Sequence, residues 1–60
     1  MEQINIMMLF GEKHPELVEE VSHYVMLDNS EAIEVWYKDG KVQVWSHYDD
    51  VFVTVRDSVV

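Results

Sequence analysis

No cysteine occurs in the chain, so neither a disulfide nor a thiolate metal site can hold it together. Glycine is almost as scarce: Gly11 and Gly40 are the only two, and they form no glycine-rich phosphate-binding loop. The single proline, Pro15, leaves no proline-rich linker or recognition tract. Lysine and arginine number four against twelve aspartates and glutamates, which gives a formal net charge of -8 and a pI near 4.4. Phosphate backbones and anionic membranes are bound chiefly through Lys and Arg, so this charge disfavours direct binding to nucleic acid or to a membrane. Long apolar runs are missing too. The opening MEQINIMMLFGEKH has an acid in place of a basic n-region, no small-residue cleavage site and too few apolar residues to span a bilayer. These absences predict a soluble chain of the cytoplasm, which for a phage-encoded protein is the host cytoplasm.

What is present must fold in little space. Sixty residues form one small domain, 1–60, that buries only about 60% of the surface its unfolded chain exposes. Without disulfides, stability has to come from tight packing or from association with another chain.

Three segments read as strands from β-branched and aromatic residues in period-two alternation: AIEVWYK (32–38), KVQVWS (41–46) and VFVTVR (51–56). They predict an antiparallel meander. Pro15 opens HPELVEEVSHYVMLDN, where Leu17, Val18, Val21, Tyr24 and Val25 recur at helical spacing and Asp28-Asn29 supply a stop. This predicts one α-helix packed on one face of the sheet. EQINIMMLF reads either as a further strand or as a short helix ending at Gly11, since periodicity cannot decide so short a run. The fold class is therefore α+β, in the order β-α-β-β-β with an N-terminal strand or α-α-β-β-β with an N-terminal helix; the strand is favoured.

Asp39-Gly40 reads as a two-residue type I′ loop, which sets Lys38 against Lys41, Tyr37 against Val42, Val35 against Val44 and Glu34 against Trp45. A three-residue loop with a bulge at Gly40 would set Val35 against Gln43 and Ile33 against Trp45, mixing apolar with polar sides. The two-residue loop puts Trp36, Trp45 and Phe52 on the face away from the helix, rimmed by Lys38 and Arg56. Three large aromatics with a charged rim have the composition of an interface centre. They predict a face for a protein partner or for a homodimer, unless the N-terminal segment covers them. Base stacking on such a sheet is disfavoured by the charge.

Catalytic constellations are thin. His23 follows Glu19 and Glu20 at helical spacing, an arrangement that can relay a proton or contribute to a metal site, though a solvated helix face explains the same spacing. SHYDD (46–50) gathers Ser, His and two Asp where turn chemistry accounts for them. The expectation is a non-enzymatic protein with no catalytic residues, no metal ligands and no cofactor.

The acids have a use beyond solubility. Glu12, Glu16, Glu19 and Glu20 can line the outer side of the helix and steer a cationic partner. In size, charge and mixed α and β content the chain resembles small acidic phage and plasmid inhibitors that mimic nucleic acid, such as uracil-DNA glycosylase inhibitors and anti-restriction proteins. That resemblance implies a small phage or bacterial accessory or inhibitor protein whose partner is a basic nucleic-acid-binding protein. Two alternatives stand beside it: a metal-dependent or catalytic role centred on His23 with Glu19 and Glu20, and a structural subunit of a homo-oligomer held through the Trp face.

Overall fold

A computed structural model describes residues 5–27 and 31–59. Within them a short helix α1 (Ile6–Lys13) and a single helical turn α2 (Pro15–Val18) precede four strands, β1 (Val21–Met26), β2 (Ala32–Tyr37), β3 (Val42–Ser46) and β4 (Val51–Arg56). The strands form one antiparallel sheet in the order β1-β2-β3-β4. The class is α+β. Among the described residues no helix is long and apolar enough to cross a membrane.

The N-terminal segment takes the helical alternative. Asn5 caps it by accepting from the Met8 amide at 3.2 Å, and Ile6 and Phe10, one turn apart, bury completely against the sheet. Each such burial contributes roughly 1.5 to 3 kcal/mol. The helix does not end at Gly11; it runs to Lys13, and His14 closes it by donating its amide to the Phe10 carbonyl. The favoured strand reading of this segment is thereby corrected for residues 6–10, while residues 1–4 lie outside the described set.

The long helix expected from Pro15 is also corrected. It stops at Val18 after four residues, and Val21–Met26 pairs with β2 as a strand. The physical reason is that VSHYVM is itself rich in β-branched and aromatic residues, and β2 offers it a ladder of backbone hydrogen bonds that a helix would leave unpaired. The stop expected at Asp28-Asn29 falls outside the described residues. The three C-terminal strands lie where the alternation puts them.

Their register does not. Trp36 faces Val42, Val35 faces Gln43 and Ile33 faces Trp45, so the loop has three residues rather than two. Gly40 donates to the Tyr37 carbonyl at 3.1 Å, Tyr37 donates to the Lys41 carbonyl at 2.9 Å, and Gly40 has φ +93°. This is a type I turn closed by a glycine bulge. A type I′ loop would need positive φ at Asp39 as well, and only Gly40 and Asp50 have it among the described residues. The polar residue that the shift sends to the helix side is accommodated: Gln43 accepts from the Tyr37 hydroxyl at 3.0 Å and donates to Thr54 at 3.1 Å. Ile33, Val35, Tyr37 and Trp45 thus form the core with Ile6 and Phe10, flanked by Leu9, Leu17, Val21, Tyr24 and Phe52.

Candidate functional site

The shift divides the aromatics expected on one face. Trp45 and Phe52, cross-strand partners, lie on the helix side. Trp45 is 0% exposed, with Phe10 edge-on to its ring at 5.4 Å, while Phe52 is half-buried against the same core. Trp36 is alone on the opposite, open side. The N-terminal helix therefore does cover one tryptophan within the chain, and the second needs a separate account.

Trp36 is the middle layer of a stack. His23 of β1, its cross-strand neighbour, lies nearly parallel to the indole with centroids 5.2 Å apart, and the Arg56 guanidinium sits 5.3 Å from the ring. The indole N–H donates to Glu34 at 2.6 Å. Arg56 in turn donates from Nε and Nη2 to the Gly40 carbonyl at 3.0 and 2.8 Å, which ties the last strand to the β2–β3 turn. Val42, in the same row between Trp36 and Arg56, is left 3% exposed. These three side chains roof one end of the open face.

The other end has no such roof. There the strands place Val25, Ala32, Val44, Ser46, Val51 and Val53 on the open side; Ala32 is buried and Val44 and Ser46 half-buried, whereas Val51 is 45% and Val53 59% exposed. Sequence reasoning missed this patch because the two-residue register turned Val44, Val51 and Val53 toward the helix. The only signal available was the clustering of valines in 51–55. Lys38, expected on the aromatic rim, lies in the turn, where its amide donates to the Glu20 carbonyl at 2.8 Å.

His23 is on a strand rather than a helix, so Glu19, Glu20 and His23 do not share a helical face. Its ring is occupied by the stack on Trp36 and by Ser22 at 3.2 Å. Among the described residues no three His, Asp or Glu side chains converge to hold a metal ion. Glu12, Glu16, Glu19 and Glu20 are all exposed along α1, α2 and the following turn.

A polar node joins the helical segment to the β3–β4 turn. His14 Nε2 lies 2.7 Å from Asp50 Oδ1, the same oxygen accepts from the Trp45 indole at 2.7 Å, and Glu16 lies 3.8 Å from the other imidazole nitrogen. A carboxylate only accepts, so Nε2 donates. The bonds from His14 and then Trp45 hold the Asp50 carboxyl below its ordinary pKa. Asp50 adopts φ +55°, a conformation Asp tolerates in turns, which is the turn chemistry read in SHYDD. Burial raises the hydroxyl pKa of Tyr24 and Tyr37, the latter further through Tyr24 and Asp39. The amide of Lys41 is the chief influence lowering Asp39.

Comparison with protein-family models, with curated proteins and with solved structures finds no match.

Proposed function

We propose that the chain is a non-enzymatic protein-binding module that docks through the open face of its sheet. One observation carries this reading: the face opposite α1 presents exposed Val25, Val51 and Val53 beside half-buried Val44, with no element of the described chain over them. Such an apolar sheet face is normally covered by a second layer. The site is a flat patch around Val44 and Val53, bounded by the Trp36 stack, and of the residues proposed from sequence Trp36 and Arg56 border it. An apolar fluorescent dye should bind the wild type at this patch, and Val53→Asp should abolish the dye signal while leaving the circular dichroism spectrum unchanged. Dye binding that survives Val53→Asp would locate the accessible apolar surface elsewhere and sink the reading.

A second reading concerns the acids. No Lys or Arg of the described residues forms an ion pair with Glu12, Glu16, Glu19 or Glu20, so their field is uncompensated at short range. A basic protein, such as one with a nucleic-acid-binding groove, fits this side by charge, in the manner of an acidic inhibitor that imitates nucleic acid.

A further inference from the structure

The open face is stepped as well as apolar. At the β2–β3 turn end it carries the bulky row His23, Trp36 and Arg56; toward the other end it carries only valine, alanine, serine and the single carboxylate Glu34, drawn back by the Trp36 indole. The charges are stepped in the same direction. Arg56 stands at the turn end, whereas the end where β4 begins carries Asp49 in the β3–β4 turn, with Glu31 nearby ahead of β2.

We propose that the occupant of the open face is a second copy of this chain, related by a two-fold axis that lies parallel to the sheets and perpendicular to the strands. This rests on the protein-binding reading of that face and names its partner. The axis reverses the strand direction, so the raised row of each copy falls on the low valine end of the other, twice, as an isologous contact requires. It also lays β4 over β4 with its ends exchanged, bringing each Arg56 toward the β3–β4 turn of the other copy, where Asp49 lies. A two-fold axis along the strands would instead lay β4 over β1 and set bulk on bulk, with Arg56 over His23.

Net charge opposes the pairing, but little of it lies at the contact. Each chain carries -8, but the open face itself holds one Arg, one Glu and one His. In a stack of helix layer, sheet, sheet and helix layer the acid-bearing outer layers stand roughly 30 Å apart, three spacings of about 10 Å, well beyond the Debye length of about 8 Å. Both edge strands, moreover, carry a bulge, β1 between Val21 and His23 and β4 opposite Val42 and Gln43, and bulges blunt strand-to-strand association. The face is left as the contact. Four strands about 4.8 Å apart, each with five residues of about 3.3 Å, give about 300 Å² of sheet plane per copy. An interface this small is reversible, and the dimer forms at high concentration.

Sedimentation between about 10 μM and 1 mM tests this. The wild type should pass from monomer to dimer across the range. Val53→Asp should weaken the dimer on the order of 100-fold, because it places an unpaired carboxylate in the contact. Asp49→Lys should weaken it too, although the substitution changes the net charge from -8 to -6; repulsion alone predicts tighter association. Circular dichroism and the apolar dye accompany each sample. A dimer indifferent to Val53→Asp, or one tightened by Asp49→Lys, overturns the proposal. A wild-type monomer at every concentration also overturns it: if Val53→Asp still removes dye binding, the face serves another occupant and the protein-binding reading stands; if it does not, both fall.

Discussion

Asp50 joins two distant parts of the described chain through one carboxylate. One oxygen takes bonds from His14, at the junction of α1 and α2, and from Trp45, in the centre of the core. Thirty-six residues separate Asp50 from His14, so nothing local announced the pair. The folded state lowers the Asp50 pKa below its ordinary 3.8, hence its contribution is complete above that value and disappears as pH falls through the lower folded value. Asp39 acts in the same direction through the Lys41 amide. Thermal melts between about pH 5 and pH 2 should therefore show stability falling below about pH 4, and Asp50→Asn should be less stable at neutral pH with a shallower acid limb. Asn tolerates the left-handed backbone, so the comparison isolates the charge. An acid limb unchanged by Asp50→Asn would mean that the node contributes nothing.

At the scale of elements, the β2–β3 turn decides which side chains share a face. Gly40 has φ +93°, and a Cβ added there would clash with Val59 Cγ2. Asp39 accepts from the Val59 amide at 3.1 Å, so the chain beyond β4 is held against this turn. Gly40→Ala should cost about 1 to 2 kcal/mol from left-handed strain alone and lower the melting temperature by about 5 °C or more. Gly40→Asn should cost less, since Asn adopts that conformation more readily. Equal losses would assign the cost to the Val59 contact instead. β2, β3 and β4 were legible in the sequence because alternation of apolar with polar residues is a local property. The pairing was not, because a loop longer by one residue inverts one strand relative to the next, and Gln43 supports the inverted register through bonds to Tyr37 and Thr54 on the two neighbouring strands. β1 was hidden for a related reason. Val21, Tyr24 and Val25 suit either a helical stripe or a strand, and the choice rests on the vacant ladder of β2. The candidate site inherited both errors: Trp36, Trp45, Phe52 and Arg56 were all expected on the face away from the helix, only Trp36 and Arg56 lie there, and the valines that border the roof went unseen.

For the whole molecule the consequence is two unlike sides. Two helical segments and the turn behind them carry Glu12, Glu16, Glu19 and Glu20, while the far side of the sheet is mostly apolar. A uniformly acidic chain would lose the same attraction to a cation wherever a given number of carboxylates was removed; a two-sided one would not. Polylysine serves as the cationic probe. Substituting Glu16, Glu19 and Glu20 together by Gln should slow its association about tenfold, whereas substituting Glu31, Asp49 and Asp57 by Gln and Asn, with the same change in net charge, should slow it less. Added salt should diminish the difference, because exposed charges are screened over about 8 Å at physiological ionic strength. Stopped-flow rates for the two triple variants measure it directly. Equal slowing would show that the acids act only through net charge, and the proposal of a basic partner on the helical side would lose its support.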